Sequence, residues 1–179
     1  EFTDKFTARM AALKLGDGLD PSTTLGPLVS RAQQQRVADA VAGAVSRGAK
    51  VLCGGSASTE PAFGYQATVL AEVSPHDEIL QDEIFGPVAA LVSYSDEQEM
   101  LSLANNVEHG LVGYVFTQDA ARGMRIAEAL ETGMVGFNRG LVSDPSAPFG
   151  GVKASGIGRE GGHDGLLAFL ETKYVAGNW

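Results

Sequence analysis

A carboxylate and an aromatic ring stand two residues apart in Glu83-Ile84-Phe85-Gly86-Pro87, just before the apolar run 88–94. Side chains alternate along an extended segment, so Glu83 and Phe85 are expected to point the same way. The pair is therefore a candidate site, with a purely structural role as the alternative.

Two further segments could likewise have either a functional or a purely structural role. Asn138-Arg139-Gly140-Leu141-Val142-Ser143 places polar side chains at the C-terminal end of a predicted strand, where α/β sheets bind ligands. Ala147-Pro148-Phe149-Gly150-Gly151 holds an aromatic ring between residues that break regular structure. The residue types alone leave function and structure open for both segments.

Nucleophile and metal sites find little support. The single cysteine, Cys53, ends the apolar run 49–53, where only Lys50 is near enough in sequence to lower the thiol pKa. We expect Cys53 to be a buried structural thiol. His76, His109 and His163 lack a second ligand two to four residues away, so no metal site is predicted.

The segment 156–161, Gly-Ile-Gly-Arg-Glu-Gly, matches the glycine fingerprint of dinucleotide-binding turns. That turn follows a buried strand, whereas here a loop precedes it, and no acidic residue follows about 20 positions later. We interpret the segment as a loop whose glycines permit positive φ and close backbone approach.

The composition describes an acidic globular chain of 179 residues with 44% hydrophobic residues and a formal charge of −9. Without a basic run, nucleic-acid or anionic-membrane binding is not expected. No apolar stretch approaches the roughly 18 residues of a membrane span. A lone cysteine fits a reducing compartment, so the predicted location is cytoplasmic.

Helical and strand-like patterns alternate along the chain. Ser30 can cap a helix carrying Val37, Val41 and Val45 that stops at Gly48. Other helices are predicted at 2–13, 96–105, 119–131 and 164–171, and strands at 49–53, 67–73, 88–94, 111–117 and 134–138. Several strands are apolar on both faces, which predicts an α/β fold with a largely parallel sheet covered by helices.

Three motifs, taken together, resemble the aldehyde dehydrogenase superfamily. They are Gly16-Asp17-Gly18 with Gly26-Pro27-Leu28, the segment 83–87, and Pro148-Phe149-Gly150-Gly151-Val152-Lys153-Ala154-Ser155-Gly156, in the family's order and approximate spacing. The resemblance covers almost the whole chain, and the stretch 133–143 most resembles the succinate-semialdehyde branch.

The resemblance implies a fold and a reaction. It implies a three-layer α/β sandwich of Rossmann-like type, with residues 1–170 in the catalytic domain and 171–179 as a tail and strand for oligomerisation. Members oxidise an aldehyde through a cysteine thiohemiacetal, with NAD or NADP as hydride acceptor, and a homo-oligomer is expected. In the family the nucleophilic cysteine, oxyanion asparagine, general-base glutamate and dinucleotide domain precede the region that this chain resembles. Together with a start on a predicted helix and no initiator methionine, this favours a fragment that is inactive alone.

Cofactor roles also follow from the resemblance. Glu83 resembles the carboxylate that binds the nicotinamide ribose hydroxyls, and Phe85 resembles the aromatic that packs near the nicotinamide. Gln33 and Arg36 are expected to approach the other ribose.

Substrate and relay roles fall later in the chain. Phe149 resembles a wall of the aldehyde tunnel, and Ser143 resembles the hydroxyl that binds the distal carboxylate of the substrate. Glu160 resembles a catalytic carboxylate of the proton-relay region. Arg159 and Glu171 resemble an ion pair that stiffens a loop.

Two alternatives remain open. One is a non-catalytic module for subunit association, and the other is a dehydrogenase for another aliphatic aldehyde. Activity of the purified chain separates the first from an enzyme, and substrate preference decides the second.

Overall fold

The computed structural model describes residues 1–178, which form two compact units dividing between Tyr94 and Ser95. The first unit holds helices α1 (Phe2–Ala11) and α2 (Arg31–Ser46), a 3-10 helix (Glu78–Leu80) and strands β1 (Lys50–Cys53), β2 (Ala57–Ser58), β3 (Gly64–Tyr65), β4 (Thr68–Ala71) and β5 (Val88–Ala90).

A three-stranded sheet of order β1-β4-β5 forms the centre of the first unit. Strand β4 pairs antiparallel with β1 and parallel with β5, so the sheet is mixed. Thr68, Val69 and Leu70 of β4 are fully buried, as the apolar pattern predicts. The strand predicted at 49–53 forms as β1, but the expectation that it is buried is wrong, because β1 lies at the sheet edge and Val51 is 41% exposed.

Helix α2 covers this sheet. The Ser30 hydroxyl accepts a hydrogen bond from the Gln33 amide at 3.2 Å, so the predicted N-cap is confirmed. Val37 and Val41 belong to the core, in contact with Leu70 and Ile79 among others. The buried stripe closes with Ala44 rather than with the predicted Val45, which points outward.

The second unit holds helices α3 (Glu97–Asn105), α4 (Ala120–Ala129) and α5 (Gly162–Leu167), and strands β6 (His109–Gly110), β7 (Val112–Val115), β8 (Met134–Phe137) and β9 (Val152–Lys153). Strands β7 and β8 pair in parallel and β6 pairs antiparallel with β9. Asp96 and Asp119 cap α3 and α4 by accepting backbone amides of Glu99 and Arg122. The predicted α/β class is confirmed, with parallel and antiparallel pairs together.

The C-terminal prediction needs correction. Helix α5 ends at Leu167, four residues before the predicted end, and its apolar residues Leu166, Leu167 and Leu170 are each more than half exposed. A helix forms when burial of one face stabilises it, and that burial is missing here. Residues 168–178 contain no strand, so an oligomerisation strand at 171–179 stays a prediction; Trp179 lies outside the described residues.

Within residues 1–178, none of the helices has the length and apolarity needed to cross a membrane.

Candidate functional site

The Glu83–Phe85 segment leaves the 3-10 helix and turns sharply into β5. Phe85 has a positive φ of 48°, which costs energy for a residue with a side chain, and it is 69% exposed. Glu83 is exposed as well, and no ion pair among residues 1–178 engages it. An exposed aromatic on a strained backbone beside a free carboxylate is the arrangement of a binding loop.

The side chain of Gln33 holds this loop from helix α2. Its Nε2 donates to the carbonyl oxygens of Ile84 at 2.9 Å and Phe85 at 3.0 Å, which uses both of its N–H bonds. The neighbouring Gln34 is buried and donates instead to Ser58 and Gly64. Gln33 therefore contacts the loop backbone, while its expected approach to a ribose stays a prediction.

A cavity of about 190 Å³ lies between α2 and this loop. It is lined by Arg36, Ala40, Glu78, Ile79, Asp82, Glu83 and Ile84. The predicted cofactor residues Glu83 and Arg36 thus share one cavity, whose wall holds one cation, Arg36, and three acidic residues. Such a lining suits a polar ligand with hydroxyl groups.

The close contact between this loop and helix α2 explains why a glycine stands at position 86, next to Pro87. A Cβ built on Gly86 would lie 2.7 Å from Cγ2 of Val37, which is fully buried in α2. The helix and the loop therefore touch at a place where only a hydrogen atom fits.

Gly86→Ala is expected to lower the free energy of unfolding by about 1–3 kcal/mol, because the added methyl overpacks a filled core. Urea denaturation of the chain measures this. Gly18→Ala is the control, since a Cβ there meets nothing within 4 Å. An equal loss in both variants would show that the Val37 contact does not restrict residue 86.

Asp77 and Arg47 form a pair that the sequence did not reveal. The Asp77 carboxylate is 2% exposed and accepts from Arg47 Nε at 3.0 Å and Nη2 at 2.6 Å. It also accepts the Ile79 amide at 3.0 Å, which caps the 3-10 helix before Glu83. The Arg47 hydrogen bond lowers the pKa of Asp77 below its ordinary value of 3.8, burial opposes this, and the Ile79 amide adds to the lowering.

Because the folded pKa of Asp77 is depressed, its stabilisation is present above the unfolded pKa and is lost as the pH falls through the folded value. Asp77→Asn should cost about 1–3 kcal/mol at neutral pH and much less in acid. Chemical denaturation at pH 7 and at stepwise lower pH measures this. Glu72→Gln, which breaks the exposed Lys50 pair, should cost under about 1 kcal/mol. A cost for Asp77→Asn that does not change with pH would contradict this assignment.

In the second unit, Phe149 and Glu160 lie opposite each other at the base of a glycine-rich loop. The Phe149 amide donates to the Glu160 carbonyl at 2.6 Å, and the Glu160 amide donates back at 2.8 Å. The structure therefore brings together the residue predicted for the aldehyde tunnel and the one predicted for the proton relay. Gly156 and Gly161 have φ of 90° and 71°, which confirms the loop interpretation of the glycine segment.

Arg159 stabilises this loop through hydrogen bonds to carbonyl oxygens of the loop itself. Its Nη1 donates to the carbonyl oxygens of Gly151 at 2.7 Å, Gly158 at 2.9 Å and Ile157 at 3.3 Å. Among residues 1–178 no ion pair joins Arg159 to Glu171, so the expected pair is not formed. The guanidinium faces backbone carbonyls of its own loop instead.

Ser143 lies in an exposed segment that joins this loop. The Pro145 carbonyl accepts the Gly162 amide at 2.9 Å, so Ser143 is two residues from a hydrogen bond that ties its segment to the start of α5. The adjacent Asp144 carboxylate accepts both the hydroxyl and the amide of Ser146, which lowers the pKa of Asp144. The Ser143 hydroxyl can donate to an anion; the Asp144 carboxylate beside it is negative, and the positive charge of Arg139 adds to the lowering of the Asp144 pKa.

Asn138 does not offer its amide to a ligand. At a φ of 52°, its side chain accepts the Thr117 amide at 2.9 Å and donates to the Thr117 carbonyl at 2.8 Å. It thereby continues the β7–β8 pairing past the strand ends, beside an open crevice of about 530 Å³. The sequence located the polar residue but not its partner.

Cys53 is half-buried, so the prediction of a buried thiol is wrong, because β1 is an edge strand. Its Sγ lies 3.6 Å from the Ala67 carbonyl oxygen. Among residues 1–178, no group of three or more His, Cys, Asp or Glu side chains is placed to hold a metal ion.

Known proteins match this chain over almost its whole length. The model of the aldehyde dehydrogenase family matches residues 1–175. A succinate-semialdehyde dehydrogenase of Paenarthrobacter nicotinovorans is 46% identical over 98% of this chain and 39% of its own length. A glutarate-semialdehyde dehydrogenase of Pseudomonas aeruginosa is 43% identical over 97% of this chain and 36% of its own length.

The crystal structure of a succinate-semialdehyde dehydrogenase from Burkholderia pseudomallei superposes with a TM-score of 0.89 at 44% identity. It covers 92% of this chain and 34% of that one. The chain thus spans between a third and two fifths of the length of these relatives, and shares their fold over that span.

Proposed function

The chain belongs to the aldehyde dehydrogenase family, and we propose that it supplies the nicotinamide-ribose and aldehyde-facing part of an enzyme that oxidises succinate semialdehyde to succinate. The balanced reaction consumes the aldehyde, water and NAD⁺ or NADP⁺, and releases the acid, the reduced cofactor and a proton. We use "complete subunit" for this chain joined to the family segments that carry the nucleophile and the dinucleotide domain.

The observation that carries this proposal is the Glu83–Phe85 loop. The Glu83 carboxylate is exposed at a cavity that Arg36 also lines, and the carbonyl of Phe85, a residue with a positive φ, accepts from the Gln33 amide. These residues fit a cofactor with ribose hydroxyls, because an ionised carboxylate is a strong acceptor for two O–H donors. The cofactor, when bound, supplies the hydride acceptor. Glu83 would hold its ribose and Phe85 would limit where its ring lies.

The proposed substrate follows from Ser143 and from the relatives. Both curated relatives are named for semialdehydes that carry a distal carboxylate. Burying such a carboxylate requires donors and a cation, or its desolvation is not compensated. Ser143 would supply a hydroxyl donor, and the family's cations would come from outside this chain, since the nearby Arg139 already interacts electrostatically with Asp144. Glu160, opposite Phe149, is proposed to take part in the relay of protons.

The chemistry also needs a thiolate that this chain does not supply. Cys53 sits on an edge strand, with its sulfur near a backbone carbonyl, and no hydrogen bond joins it to a cationic side chain among residues 1–178. We therefore propose that the 179 residues alone are inactive. Residues 1–170 would be catalytic-domain sequence and 171–179 a tail for a homo-oligomer in the cytoplasm.

Ser143→Ala in the complete subunit is expected to lower kcat/KM for succinate semialdehyde about ten- to a hundredfold, mainly through KM. One neutral hydrogen bond to a charged group is worth about 1.5–3 kcal/mol, which gives this range. Steady-state kinetics with butanal as the uncharged substrate of similar length provides the comparison. Butanal turnover should hardly change.

Two other results would redirect the assignment. Equal losses for butanal and succinate semialdehyde would mean that Ser143 acts on the fold or on a step common to both. A preference for glutarate semialdehyde in the unmodified enzyme would assign the longer substrate, which the relative from P. aeruginosa makes a specific alternative.

A further inference from the structure

We infer that helix α2 fastens the cofactor-binding loop at both ends, with Gln33 and Arg47 as positioning residues that set where Glu83 and Phe85 lie. The inference rests on the proposed function for its consequence in catalysis, but the fastening itself concerns this chain alone.

Gln33 holds the C-terminal end of the loop. Both N–H bonds of its amide point at consecutive carbonyl oxygens, those of Ile84 and Phe85. Consecutive carbonyls face one donor only when the backbone bends, and the bend is the positive φ of Phe85. Gln33 therefore compensates a strained conformation that presents the Phe85 ring to solvent.

Arg47 holds the other end. Its bidentate contact fixes the buried Asp77, and Asp77 in turn caps the 3-10 helix through the Ile79 amide. The third nitrogen of the guanidinium, Nη1, lies 3.4 Å from the Glu78 carboxylate. The 3-10 helix therefore starts from a fixed point six residues before Glu83.

Directly after Phe85 the loop also approaches α2 closely, because a Cβ on Gly86 would lie 2.7 Å from Cγ2 of Val37. Three contacts along one rigid helix leave the loop little freedom to shift, although Glu83 and Phe85 themselves are exposed. A binding site that is already ordered loses less conformational entropy when its ligand arrives.

Hydrogen exchange of the 179-residue chain tests the fastening directly. In Gln33→Ala and in the isosteric Gln33→Glu, the Val88 amide, which donates to the Gly86 carbonyl at the end of the loop, should exchange about tenfold faster, because local opening no longer breaks two hydrogen bonds. Strand β4 should keep its protection. Arg47→Lys, which retains charge but loses the bidentate contact, should speed exchange at residues 78–80 instead.

Gln35→Ala is the matched control. Gln35 has the same side chain on the same helix, but it is exposed, and among residues 1–178 its amide bonds only Asp39, one turn away. Its substitution should leave the exchange of the Val88 amide unchanged. Unchanged exchange in both Gln33 variants, or an equal rise in β4, would overturn the inference.

The complete subunit gives a readout that general destabilisation does not move. Gln33→Glu should raise KM for NAD⁺ or NADP⁺ about tenfold, with smaller changes in kcat and in KM for the aldehyde. A shift of equal size in both KM values would contradict a positioning role. If Glu83→Gln leaves cofactor affinity unchanged, the proposed function fails, whereas the exchange experiment still decides whether α2 fastens the loop.

Discussion

Glu83→Gln in the complete subunit is expected to raise the dissociation constant for NAD⁺ or NADP⁺ about ten- to a hundredfold. The amide keeps the shape of the side chain but loses the charge that strengthens its hydrogen bonds to ribose hydroxyls, a difference of about 1.5–3 kcal/mol. Since Glu83 is exposed and makes no ion pair among residues 1–178, folding should hardly change. Cofactor titration by fluorescence, with thermal denaturation beside it, measures both quantities.

Glu128→Gln serves as the control for the loss of one negative charge, because Glu128 is an exposed residue of α4 without a predicted role. Its cofactor affinity should equal that of the unmodified enzyme. Wild-type affinity in Glu83→Gln would show that the family role does not carry over to this carboxylate.

The helices were the most predictable part of the fold, because their start signals are local. Ser30, Asp96 and Asp119 each accept a backbone amide three residues later, and the helices begin where these residues predict. Strand β4 was equally clear, because an apolar run is buried wherever it sits in the middle of a sheet.

Sheet position was not predictable in the same way. The runs at 49–53 and 67–73 look alike in sequence, yet one is an edge strand and the other is central. Which strand lies at the edge depends on pairing between distant segments, and the error for Cys53 follows from it. Helix α5 is shorter than predicted because Leu166 and Leu167 remain more than half exposed among residues 1–178.

In the candidate site, too, the features that are local in sequence were predictable and the long-range contacts were not. Glu83 and Phe85 are neighbours in sequence, so their adjacency could be read directly. The contacts that hold the loop in place could not be predicted, because their partners are far apart in sequence. Gln33 and Ile84 are 51 positions apart, and Arg47 and Asp77 are 30 apart. A glutamine in the first turn of a helix carries no signal that its amide will meet two carbonyls of a distant loop.

The central claim is that this chain is catalytic-domain sequence whose chemistry needs a thiolate from elsewhere in the subunit. The most direct test follows NADH or NADPH formation from succinate semialdehyde by the purified 179-residue chain and by the complete subunit, each with and without Cys53→Ala. We predict turnover by the complete subunit, unaffected by Cys53→Ala, and none by the chain alone. Turnover by the chain alone that disappears in Cys53→Ala would contradict the account, because Cys53 would then be the nucleophile.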